Sequence, residues 1–105
     1  MSHVPTPVRM QLCIEDILRK RVPLFDGVQS LLALSSEVPQ LRGDRDLRKL
    51  EELLATVDHL AIGEARAHWE RTALHRQDRE LLELERRHED AVFYACRRIE
   101  QTLAR

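Results

Sequence analysis

Residues 72–103 contain neither glycine nor proline. Those are the two residues that most often interrupt a helix, so the carboxy-terminal third reads as one unbroken helix with Thr72 as its N-cap and its end near Leu103. About 30 residues at 1.5 Å rise make a rod of ~45 Å. A compact domain of this length has a radius of gyration of only ~13 Å. The rod is therefore expected to overhang its own domain and to want a partner or a second copy of the chain.

The remaining sequence is written in the same language. Leu, Ala, Glu, Arg and Gln dominate, and no segment sustains the period-2 alternation of a strand. The fold class is all-α, a small bundle of about four helices ending in the long one. With 105 residues, 43% of them hydrophobic, the chain suffices for one core and not for two. We expect a single helical domain over residues 8–105, preceded by a disordered Pro-containing tail over residues 1–7. The first helix runs from Val8 to Lys20 with Leu12, Ile14, Ile17 and Leu18 inward. Pro23 starts the second, with Leu24, Val28, Leu31 and Leu32 at helical spacing and Gly27 weakening it by up to ~1 kcal/mol relative to Ala. Ser35, Ser36 and Pro39 end it, and residues 39–43 form a loop. Asp44 caps a third helix, with Asp46 favourable in its first turn. Its Leu47, Leu50, Leu53, Leu54 and Val57 give the clearest amphipathic pattern in the chain. Residues 58–63 leave that helix, and residues 64–69 form a short helical turn.

Charge and composition exclude several function classes. A net charge of −1 lacks the basic excess of nonspecific nucleic-acid binding. The basic segment Arg42–Arg48 is interrupted by Asp44 and Asp46, which argues against a helix-turn-helix reader. No run approaches the roughly 18 apolar residues of a membrane span, and the amino terminus lacks the pattern of a signal peptide. Cys13 and Cys96 match no metal spacing, as expected of reduced thiols in a cytoplasmic protein. The basic residues are almost all Arg, a bias that GC-rich bacterial codon usage produces.

On the last helix, Leu74, Leu81, Val92, Ala95, Cys96, Ile99 and Leu103 share one stripe at 100° per residue. Asp78, Glu85 and His88 fall within it. Buried polar groups must be paired, because an unsatisfied one costs a few kcal/mol. Asp58, His59, Arg66 and the indole N–H of Trp69 are near in sequence. These seven residues make a polar cluster with three readings. One is a hydrogen-bond network that pins the 58–69 connection to the helix. Another is a small polar pocket for a ligand. The third is that the helix is exposed there, where it overhangs.

Catalytic chemistry finds little support. Glu85 and His88 have the i, i+3 spacing of di-iron bundles, but a second such pair and two further Glu residues are missing. His59, Glu85 and His88 are the weak candidates for a mononuclear metal. Ser30, Ser35 and Ser36 lack a nucleophile elbow. Cys96, on an apolar stripe, reads as a small hydrophobe with a raised pKa. Asp78 and Glu85, two turns apart, have a spacing too common to signal acid–base work. His68 and His75 read as surface residues. No catalytic residue, cofactor or phosphate loop is indicated.

The residues Thr56-x-Asp58-His59-Leu60, Gly63, Arg66, Trp69, Ala73-Leu74 and Asp78, followed by the Ala91–Arg98 tail, resemble the pattern of an uncharacterised family of small all-helical bacterial proteins with no assigned activity. The resemblance covers about the carboxy-terminal half. It implies the helical fold and singles out the same residues, without implying a reaction. Two positions depart from the pattern. Ala61 stands in place of Pro, which loosens the turn, and Gln77 in place of Lys, which removes a charge beside Asp78.

The expected function is that of a non-enzymatic cytoplasmic helical protein acting through protein–protein contact, as a homo-oligomer, most simply a dimer. An accessory or immunity-type protein encoded beside its partner is one setting for it. The alternative is a small-ligand or metal-binding protein that uses the polar cluster.

Overall fold

The computed structural model describes residues 3–105, and the expectation of a disordered tail lies partly outside them at residues 1–2. Four α-helices follow one another: α1 (Thr6–Leu18), α2 (Leu24–Ser35), α3 (Arg45–Ala55) and α4 (Arg71–Leu103). Short 3-10 turns occupy Pro39–Leu41 and Gly63–His68. No strand is present among the described residues.

α1 begins at Thr6, two residues before the expected start, because Pro5 and Pro7 suit the first turn of a helix, where no N–H partner is needed. Its inward face is Met10, Ile14 and Ile17, at i, i+4 and i+7. Leu12, expected inside, is 55% exposed on the back of the helix. Apolar residues crowd this short segment, and two faces could be drawn through them. Packing chose the one carrying Met10.

α1 ends in a Schellman motif. Lys20 adopts φ +56°, its N–H donates to the Ile17 carbonyl at 3.1 Å, and the Arg21 N–H donates to the Asp16 carbonyl at 2.9 Å. This position normally takes glycine, since a Cβ is strained in the left-handed region. Lys20→Gly is therefore expected to stabilise the fold by about 0.5–1 kcal/mol, as read from urea denaturation midpoints. The exposed Lys20–Glu89 ion pair at 3.0 Å would be lost at little cost. A destabilised variant would show that this ion pair outweighs the backbone strain.

α2 starts directly after Pro23 and buries Leu24, Phe25, Gly27, Val28 and Leu31. α3 is capped as expected, the Asp44 carboxylate accepting from the N–H groups of Asp46 and Leu47 at 2.8 and 3.0 Å. Leu47, Leu50 and Leu53 face inward, with Val57 beyond the helix end. α4 starts one residue before the expected cap. Glu70 is its last extended residue and Thr72 lies within the first turn, making no side-chain cap.

The core draws on every helix. Val92, Ala95, Cys96, Ile99 and Leu103 of α4 close onto the inward residues of α1, α2 and α3. α4, at about 50 Å, runs the full length of the molecule, whose extents along its principal axes are 45, 34 and 24 Å. The expected overhang is therefore altered. The amino-terminal half of α4 extends past the four-helix core, but the connection after α3 folds back along it and covers one side.

Candidate functional site

The segment between α3 and α4 leaves α3 through a turn closed by the Thr56 hydroxyl on the Leu53 carbonyl at 2.6 Å. It then runs alongside α4, and three contacts fix it there. The deepest is made by Gln77, the only buried polar side chain among the described residues. Its Oε1 accepts from the Ala61 N–H and its Nε2 donates to the Ala61 carbonyl, both at 2.7 Å. One amide thus satisfies both polar groups of a backbone position that is itself buried.

Above it, Arg66 donates to both oxygens of Asp78, at 2.9 and 3.3 Å. The Arg66 guanidinium holds the Asp78 carboxyl below the usual carboxylate range, chiefly through these hydrogen bonds. Both side chains remain substantially open to water, which limits what the pair contributes to stability. The third contact, His59 Nε2 to Glu80 Oε1 at 2.8 Å, lies on the surface. From the other side, Asp26 in the first turn of α2 accepts the Gly63 N–H at 3.1 Å. Gly63 has φ +57°, a conformation that glycine adopts without the Cβ penalty.

The seven residues expected to form one cluster divide among separate places. Arg66 and Asp78 meet as expected. His59 pairs with Glu80 instead, and Asp58 is exposed. Trp69 is 41% exposed, and its indole makes no hydrogen bond. His88 is half-buried without a side-chain hydrogen bond. Glu85 lies two turns along α4 from Asp78, in a cleft of about 350 Å³ with Ile17, Lys20–Leu24, Glu89 and Phe93. Among the described residues no three His, Cys, Asp or Glu side chains are placed to share an ion. His59, Glu85 and His88 are accordingly not brought together. A cleft of about 200 Å³ beside the connection is lined by Asp58 alone of the seven, with Gln29, Leu54, Val57, Leu60, Ile62 and Ala65.

Burial raises the Glu85 carboxyl above its ordinary value of 4.5. The Leu24 backbone N–H opposes the shift, while Asp26, Glu89 and Asp78 add to it. A raised carboxyl penalises the fold while ionised, so the penalty is complete above the folded pKa and is relieved as pH falls through it toward 4.5. Glu85→Gln is expected to be more stable than the native chain at neutral pH. That advantage should fade on acidification, as measured by melting temperature against pH. A pH-independent difference would place the effect in packing instead. Asp78 has the opposite sign, since its stabilising contribution disappears as pH falls through its depressed pKa.

Gln77 and a second tie were not in the expected cluster. Gln77 continues the seam of Leu81 and Leu84 at three- and four-residue steps, so the signal was present. Its partner is the backbone of Ala61, 16 positions earlier in the chain, a separation that no helical repeat conveys. The second tie is Arg98, whose Nε lies 3.3 Å from Asp46 Oδ2 and whose guanidinium sits 5.6 Å from the Tyr94 ring centroid. Cys96 is fully buried, its thiol pushed up to about 12 by desolvation. Cys13, half-buried, donates its S–H to the Gly27 carbonyl at 3.5 Å, and both thiols are free.

These features define an all-helical protein whose polar ties hold one connection to one helix. Compared with protein-family models, curated proteins and solved structures, the chain finds no match in any of the three. Among the described residues no helix is long and apolar enough to cross a membrane.

Proposed function

We propose that this chain is a non-enzymatic helical protein that acts through protein–protein contact and self-associates. The observation that carries this reading is the outer side of α1. Val8 and Leu12, one turn apart, are 42% and 55% exposed. Leu12 also borders an open, mainly apolar groove of about 440 Å³ between α1 and α2. Singly exposed apolar side chains are ordinary, but two that adjoin one another and an apolar groove form the kind of continuous patch on which contacts are made. The polar ties of the 58–69 connection support the reading from the other direction. Arg66, Asp78 and Gln77 spend their hydrogen bonds on one another and on backbone, as groups holding a structure together do.

Static light scattering over a micromolar concentration series tests the proposal. A mass rising from 12.3 kDa toward twice that value is expected. A mass fixed at one chain throughout would overturn self-association.

A further inference from the structure

We infer that the α1 side of this groove is a two-fold dimer interface, in which α1 packs antiparallel against α1 of a second copy about an axis passing between Leu12 and Cys13. The inference rests on the self-association proposed above and specifies its geometry.

The groove is lined from α1 by Arg9, Leu12, Cys13 and Asp16. Their spacing is i, i+3, i+4 and i+7, which places all four on one stripe of the helix. Along the helix the stripe reads positive, apolar, apolar, negative. Reversed end to end, it becomes its own complement. Two antiparallel copies set Arg9 of each against Asp16 of the other, twice, with Leu12 facing Cys13 across the axis. A two-fold contact requires a surface that is self-complementary in this way. A parallel arrangement would oppose Arg9 to Arg9 and Asp16 to Asp16, and like charges brought together suppress that alternative.

The charges are available for such a contact. Arg9 is exposed and makes no ion pair among the described residues. Asp16 is 44% exposed, and its Oδ1 is engaged by Arg21 of the same chain at 3.1 Å, while Oδ2 makes no hydrogen bond. Asp26, the remaining charged group of the groove, holds the Gly63 N–H. The far wall, with Val22, Pro23, Gly27 and Leu34, offers apolar surface to the Leu12 of the second copy. Leu12 lies opposite the buried Met10–Ile17 face of its helix, so the fold of one chain leaves more than half of it in water.

Charge reversal tests the geometry. Arg9→Asp and Asp16→Arg should each weaken self-association about tenfold or more by sedimentation. An equimolar mixture of the two variants should recover most of it. In the mixed dimer the two substituted positions face each other with opposite charges, and the unaltered Asp16 of one chain faces the unaltered Arg9 of the other. The double variant should recover association alone. Circular dichroism melts establish that each variant is folded. Asp16→Arg also removes the Arg21 contact, so Arg9→Asp carries the test by itself if the other variant is unstable. Wild-type dimers insensitive to Arg9→Asp, or folded variants whose mixture fails to associate, would overturn this geometry while leaving self-association standing. A wild-type chain that stays monomeric overturns both.

Discussion

Replacing Gln77 with leucine is expected to cost about 3 kcal/mol, the largest loss of any polar substitution in the molecule. Leucine is similar in size and more apolar, so on hydrophobicity alone it should be tolerated at a site 6% exposed. What it cannot do is satisfy Ala61. The Ala61 N–H and carbonyl, both held at 2.7 Å by the Gln77 amide, would be left buried and unpartnered at about 1–3 kcal/mol each. For a domain of this size such a loss lowers the melting temperature by roughly 15 °C. A loss under about 1 kcal/mol would mean that water or a shifted backbone reaches Ala61, and that the amide does not govern the site. Gln77→Glu sharpens the test. One carboxylate oxygen can still accept from the Ala61 N–H, but the other then faces the Ala61 carbonyl. This variant should gain stability on acidification, when it can donate a proton to that carbonyl.

Gly27→Ala is expected to destabilise by about 2–3 kcal/mol through overpacking. Helix propensity has the opposite sign here, since alanine within a helix is favoured over glycine by up to ~1 kcal/mol. The structure decides between them. A Cβ on Gly27 would lie 2.5 Å from Ile17 Cγ1 and 3.1 Å from both Ile17 Cδ1 and Val22 Cγ2. Cγ1 is the first carbon beyond the branch of a side chain only 1% exposed, so α1 and α2 would have to move apart to clear it. Most of the cost should disappear when the closest obstruction is removed. In an Ile17→Ala background only the Val22 Cγ2 contact of these three remains, so Gly27→Ala should add little, and the strong coupling would appear in a double-mutant cycle. Additive effects, or a stabilised single variant, would show that the two helices can separate freely at this point.

These two residues mark the boundary of what periodicity can convey. Gly27 stood out in the sequence only as a weak spot in α2, because a missing side chain carries no hydrophobic signal. Its role as the closest approach of two helices depends on Ile17, ten positions earlier. Gln77 lay on the apolar seam of α4 in plain view, but a neutral amide is less conspicuous there than Asp78, Glu85 or His88. Among those three, Asp78 found the loop partner expected of it. Glu85 instead came to rest beside the amino terminus of α2, and His88 found no hydrogen bond. Arg98 and Asp46 meet across 52 positions, a separation that no helical repeat encodes.

The all-helical class, the extent of α4 to within a residue or two, the Asp44 cap and the Leu47, Leu50 and Leu53 row of α3 were legible in the residues alone. Each of these is set by interactions within a few residues, where spacing and side-chain chemistry suffice. Tertiary structure alone decided that α1 buries Met10 and leaves Leu12 in water. It also decided that the 58–69 connection is gripped by an amide more deeply than by charges, and that the polar stripe is divided among separate neighbours. The physical reason is that helices choose their faces together: α1 can rotate about its axis at little local cost, and only the packing of α2, α3 and α4 against it selects one orientation.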